Sequence, residues 1–215
     1  RPLAVLLLMV AVGLGHVVLS LPTESAGLSA EVAANLGGSG VSNPVTAVLL
    51  NFRGYDTLLE MVLLFLALVA VWSLGGLPPH RVAPAGLMLN TLTHILTPVL
   101  ILLAAYILWV GGRGPGGAFQ AGAVLGAAGV LLLLAGWRPH PRFIRLPLRF
   151  ILVIGLTLFL AAAVGTIMAG RHLLAFPQEW TGNLILILEV AATLSIGATL
   201  TALFVGERPH DKEGE

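Results

Sequence analysis

Glu60, Asp56 and Arg53 are the residues of this sequence whose types and spacing could carry chemistry. They stand in "NFRGYDTLLE", between two long apolar runs. On a helix, spacings of three and four place all three on one face. Carboxylate oxygens on such a face can hold a hard cation or take up a proton. Arg53 and Asp56 also suit an interfacial ion pair, with Asp56 at an N-cap or in a first turn where backbone N–H groups lack partners. No capping box forms, because that motif needs an acid at position 59, which is Leu59. Glu60 lies one turn deeper with no local structural task, and reads as a membrane-embedded acid.

Two further residues join the list. Glu189 lies in "GNLILILEVAATLSIGATLTALF", with no basic side chain within four residues. At 1.5 Å per residue it sits roughly 9 Å inside a helix that begins near Asn183. It must face water or a partner, or sit protonated in a hydrogen bond to a neighbouring helix. His94 belongs to a polar stripe with Asn90 and Thr97 at i, i+4 and i+7, Thr93 beside them. Histidine can relay protons, and polar stripes also tie helices together. His16, alone on an apolar run, reads as a packing residue.

The elements that must position these groups are membrane helices. Of 215 residues, 57% are hydrophobic and only 10% charged, against about a quarter charged in soluble domains. The apolar runs are continuous and rich in Leu, Ala and Val, unlike the alternating strands of a barrel. The absence of cysteine from the sequence excludes thiolate metal sites, iron–sulfur clusters and disulfides. Nothing in the sequence resembles a catalytic constellation, a metal site, a cofactor motif or a nucleic-acid interface. The expectation is therefore a membrane protein that is not an enzyme.

The fold class expected is all-α integral membrane, with six transmembrane helices and one broken or half helix before the second crossing. Spanning runs are Pro2–Ser20, Leu87–Val110, Ala118–Gly136, Phe150–Gly170 and Asn183–Val205, with a further helix from Asp56 to about Gly76. The first run lacks a charged cluster and a cleavage site, and is read as a retained helix rather than a signal peptide. Pro44–Phe52 is the half helix, and Gly54 is the expected break, since glycine weakens a helix interior. Leu21–Asn43 reads as an external loop whose "NLGGSG" is a flexible lead into the half helix, Trp137–Arg149 as a basic cytoplasmic connector touching lipid headgroups or a partner, and Ser73–Pro84 as a module boundary. Gly122, Gly126 and Gly129 recur at helical spacing and call for close helix packing. With both termini cytoplasmic, Arg1, Arg81, Arg138, Arg142, Arg145, Arg149, Arg208 and Lys212 fall inside. Only Arg113 and Arg171 fall outside.

These motifs resemble a known family. "NPVTAVLLNFRGYDTLLEMVLLFLAL" is similar to a segment near the C-terminus of the large A subunit of Mrp-type sodium/proton antiporters, which also occurs as a small subunit of membrane-bound hydrogenases. The family pattern I-L-V-D-F-R-G-F-D-T-L-G-E is matched at Arg53, Asp56, Thr57 and Glu60, with Asn51 replacing the first Asp and Leu59 the Gly. From about Ala85 to Gly206 the chain resembles the B subunit of the same complexes. Its turn G-H-x-x-P-G-G-G-F-Q-x-G is kept at Pro115, Gly116, Gly117, Phe119, Gln120 and Gly122. Gly112 replaces the His and Ala118 the third Gly. Glu189 occupies a place comparable to an acid of that family's last helix.

The resemblance implies three parts: residues 1–82 as an A-subunit-like module, 83–207 as a B-subunit-like module, and 208–215 as a cytoplasmic tail. It implies an accessory subunit in the inner (cytoplasmic) membrane that helps form a Na⁺ or H⁺ path through Glu60, Asp56, Arg53, Glu189 and His94. Its partners would be other Mrp-type antiporter subunits, membrane lipids, and redox or other energy-coupling subunits, since such modules also occur in complexes related to respiratory complex I. Two alternatives compete. One is a structural spacer in such an ion-pumping complex. The other is a stand-alone solute carrier or channel, which paired broken helices in an inverted repeat would mark; the sequence shows one break and no repeat.

The arginine distribution makes topology testable. Reporters fused after Asn35, Gly114 and Phe176 should read outside, and those after His80, Phe143 and Lys212 inside; an external C-terminus would mean the number of crossings is odd.

Overall fold

In the computed structural model, which describes residues 2–21, 27–74, 86–137 and 141–206, every regular element is a helix. Residues 1–31 and 32–215 form two separate units. The first contains α1, Pro2–Leu19, an apolar helix exposed along nearly its whole length. The second contains the remaining helices. α2 runs from Ser29 to Asn35, starting just inside the first unit, and a 3₁₀ turn follows at Leu36–Gly38. The external loop thus carries a short helix, its "SAEVAAN" being rich in good helix formers, and the "NLGGSG" lead holds the 3₁₀ turn.

α3, Pro44–Ala47, continues into a π-helical turn at Val48–Phe52. α4 then runs Gly54–Ser73, α5 Leu87–Gly111, α6 Ala118–Leu134, α7 Pro141–Met168 and α8 Thr181–Val205. α7 begins well before the expected Phe150, so part of the basic connector is helical. Proline is at home in a first helical turn, which suits Pro141, and Pro147 is carried inside the helix. Four helical stretches are long and apolar enough to cross a membrane: Gly54–Ser73, Leu87–Gly111, Pro147–Met168 and Thr181–Val205. Ala4–Leu19 and Ala118–Leu134 are shorter apolar helices. Of the basic residues used for topology, Arg1, Arg81, Arg208 and Lys212 lie outside the described residues, as do Arg138, the side chains of Arg142 and Arg145, most of the Ser73–Pro84 boundary and the 208–215 tail.

α8 is the central helix. It packs on α6 and α7 and also touches α4. Residues over most of its circumference are buried, among them Ile185, Leu188, Ala191, Ala192, Ile196 and Thr199, and Ile187, Val190 and Leu194 form one exposed stripe. Its buried hydroxyls are all satisfied: Thr193 and Thr199 donate to carbonyls one turn back, and Ser195 donates to the Leu152 carbonyl of α7 at 2.6 Å. The small residues of α6 find their partner here. A Cβ on Gly122 would lie 2.7 Å from Ile196 Cγ2 and 3.2 Å from the Thr193 carbonyl. Because that obstacle includes backbone, Gly122→Val should destabilise the detergent-solubilised protein by about 1–3 kcal/mol, as overpacking does. Thermal aggregation of variant and parent checks this, and an unchanged midpoint would show that the contact is not tight.

Candidate functional site

The opening motif sits at a true interruption of the chain's helices. Val48–Phe52 closes with an i→i−5 bond, Arg53 N–H to Val48 O at 2.8 Å. Arg53 then leaves helical geometry, with φ −130° and ψ 38°. The break is therefore at Arg53, and Gly54 opens the next helix. Asp56 is not the N-cap; it lies in the first turn, its N–H donating to the Arg53 carbonyl at 2.9 Å. The expected pair forms, with Arg53 Nη2 and Asp56 Oδ2 2.6 Å apart. Single π turns frequently mark functional positions in helices.

A carbonyl freed by the interruption is taken up by a side chain, and the half helix before it is tied to a neighbouring turn. The Thr57 hydroxyl donates to Leu49 O at 2.6 Å. Asn43 caps α3 by accepting from Val45 N–H at 3.1 Å, while its amide donates to the carbonyls of Gly111 and Gly114 at 2.8 and 2.7 Å. Thr46 donates to the same Gly111 carbonyl at 2.6 Å, and the N–H groups of Ser42 and Asn43 donate to Gly112 O. The half helix is thus clamped to the α5–α6 turn. Asn51 donates its amide to Ser39 O at 3.0 Å, a bond that an ionised aspartate at this position could not donate.

Glu60 follows Asp56 by one turn along an open trough lined by Arg53, Asp56, Leu59, Glu60, Val62, Leu63 and Leu66. Glu60 is exposed within this chain, and Asp56 half-buried. The ion pair leaves the trough with one uncompensated carboxylate. Among the described residues no three His, Asp or Glu side chains converge to hold a metal ion.

Glu189 and His94 lie elsewhere. Glu189 is 3% exposed, and its carboxylate accepts a hydrogen bond from the Ala118 N–H at the start of α6. An anion suits a helix N-terminus, where N–H groups lack intrahelical partners. The approach requires glycine at 117: φ there is +121°, and a Cβ would lie 3.3 Å from Glu189 Oε1. The polar stripe of α5 divides. Thr93 and Thr97 are buried, whereas Asn90 and His94 face outward. Thr93 donates to Leu89 O at 2.8 Å, and Thr97 Oγ1 is buried with no partner among the described residues.

Sequence reasoning missed Asn43, Thr46 and Thr57 as the residues that make the break tolerable. The signal available was Asn-Pro, an N-cap followed by proline at N1, before the half helix. It also missed that Glu189 meets the Pro-Gly-Gly turn, since a backbone N–H has no signature in sequence.

The family described as "Domain related to MnhB subunit of Na+/H+ antiporter" matches residues 88–206. Two solved structures share the fold. A chain in the structure of the Mrp complex from Dietzia sp. DQ12-45-1b matches at 23% identity with a TM-score of 0.66, over 100% of this chain and 26% of that one. A chain of the membrane-bound sulfane sulfur reductase, an archaeal respiratory membrane complex, matches at 23% identity with a TM-score of 0.70, over 96% of this chain and 97% of that one. The present chain thus spans about a quarter of the first and nearly all of the second. No curated protein matches it in sequence.

The Glu189 geometry is open to test. Glu189→Gln keeps an acceptor for the Ala118 N–H and should hold stability near that of the parent. Glu189→Leu strands that N–H and should cost about 1–3 kcal/mol. Equal losses in both, read from thermal unfolding in detergent, would argue that the charge rather than the hydrogen bond matters.

Proposed function

The chain belongs to the family of domains related to the MnhB subunit of the Na⁺/H⁺ antiporter, and on that footing we propose that it is an accessory membrane subunit of a multisubunit cation/proton antiporter module. It carries out no chemical step of its own. The observation that carries the ion-path part of the reading is Glu60, a carboxylate on a membrane helix that faces outward and has no counter-charge among the described residues. An embedded charge of this kind costs at least about 2.5–3.5 kcal/mol at the bilayer centre. It is tolerated against water or a partner group, so neighbouring subunits complete a hydrated path along the α4 trough. Glu60 handles the Na⁺ or H⁺, and Arg53 pairs with Asp56 at the helix start.

Glu189 has a different standing. Its bond to the Ala118 N–H favours a structural role, the feature in which the spacer reading is strongest. His94 and Asn90, outward on α5, are placed to hydrogen-bond a helix of another subunit.

The finer topology belongs to the same proposal. α1 and α4–α8 make six crossings of the inner membrane, with both termini cytoplasmic. Residues 1–82 form the A-subunit-like module, 83–207 the B-subunit-like module, and 208–215 the tail. The clamp supports this arrangement for α4–α8. It gathers the segment before α3 and the α5–α6 turn at one end, where the turn before α8 also meets them, since a Cβ on Gly40 would lie 2.8 Å from Thr181 Cβ.

Glu60→Gln keeps size and hydrogen bonding but removes the titratable charge. Expressed with its partner subunits, this variant should assemble at parental yield on native gels. It should lose most pH-gradient formation in inverted vesicles. A variant that assembles and transports normally would make the acid structural, and the spacer reading would stand instead.

A further inference from the structure

The helix break is not held from its own side alone. The segment between α7 and α8 reaches it through Leu174, and the backbone there is unusual. Leu174 has φ +58°, the one positive value at a non-glycine position among the described residues. A left-handed conformation is unfavourable for a residue with an ordinary side chain, and glycine takes it freely. A residue serving only the turn would therefore be glycine.

Leu174 is instead 2% exposed and seated against the break. A Cβ on Gly54 would lie 3.3 Å from its Cδ1 and 3.6 Å from its Cβ. It shares a buried cluster with Leu50, from the π turn before the break, and Met61, from α4 beyond it. Its backbone is fixed as well: the Leu174 N–H donates to Thr166 Oγ1 at 3.0 Å, and that hydroxyl donates to Ala163 O at 2.9 Å. Gly54 lies between Arg53 and Asp56, so whatever sets Gly54 sets the start of α4 and the face that Glu60 occupies.

We infer that Leu174 is a positioning residue: its side chain wedges against Gly54 and sets the direction in which α4 leaves the break, and with it the orientation of Asp56 and Glu60. What this positioning serves rests on the ion-path reading, but the geometry is testable without it. Because the chain has no cysteine, Glu60→Cys introduces a single thiol that reports the local environment. The complex is assembled with its partner subunits, and the rate of modification of this chain by a small water-soluble methanethiosulfonate is measured.

Leu174→Ala and Leu174→Gly should both change the rate several-fold in the same direction, although glycine relieves the backbone strain. Leu174→Met, which keeps an unbranched apolar side chain of similar reach, should leave it near the reference. Gly54→Ala should also change the rate, and adding Leu174→Ala should bring it back, since the shorter side chain leaves room for the new methyl. An unchanged rate in Leu174→Gly, or effects of Gly54→Ala and Leu174→Ala that merely add, would overturn the inference. Should Gly54→Ala alone fail to assemble, recovery of assembly in the double variant supports the wedge and its absence counts against it. Transport plays no part in this readout, so normal transport by Glu60→Gln would remove the ion-path reading and leave this result standing.

Discussion

A helix that stops inside a membrane protein exposes carbonyl groups that have lost their N–H partners, and hydrocarbon offers no water to replace them. Broken backbone at such depth persists only where protein or an aqueous cavity covers it. At the interruption the freed Leu49 carbonyl is taken by Thr57, while Asn43 and Thr46 bind the half helix to carbonyls of the α5–α6 turn. Each is short and each reaches backbone, so the bonds hold the segments close together. The clamp therefore fixes where the half helix lies and where α4 begins.

The clamp itself depends on α8. The turn it grips is the start of α6, and α6 is held against α8 by glycines that let the two backbones approach. The same turn presents the Ala118 N–H to Glu189 of α8. One short loop is thus bound from two sides, by Asn43 and Thr46 on one and by a buried carboxylate on the other. Apolar packing alone gives little orientation in a membrane, because lipid tails are as apolar as the side chains they compete with. Polar bonds at one end supply the direction, and small-residue packing along α6 and α8 supplies the contact area.

Much of this was legible in the sequence. Apolar run length located the helices. The glycine of "NFRGYDTLLE" located the break to within a residue, because glycine weakens a helix interior. Gly122, Gly126 and Gly129 announced a close approach, and the structure supplied the partner. The misses have physical causes. The π turn has no compositional signature, since it differs from an α turn only in closing its backbone bond five residues back rather than four. Gly54 was read as the break from its low helix propensity, whereas it is a buried first residue that leaves space for Leu174. The partners of Asn43 lie 68 and 71 positions away in the chain. Residues that far apart are brought together by helix packing, which local periodicity does not encode. The stripe of α5 divided because a shared face at i, i+4 and i+7 is wide enough to straddle the boundary between packed and open sides.

The acids of α4 and α8 differ in their surroundings rather than in residue type. Glu189 has its requirement met within the chain, by an N–H at a helix start that favours negative charge. Glu60 has no such donor, and the one cation of its trough is already paired with Asp56 at 2.6 Å. Moving Arg53 to Glu60 would relieve one acid only by stranding the other. Among the described residues the charge balance of the trough is therefore short by one positive group. On the proposed reading that deficit has two consequences with one cause. It gives a mobile cation or proton a reason to enter the trough, and it makes the isolated chain costly to expose to lipid, so that the site and the need for neighbouring subunits arise from the same carboxylate.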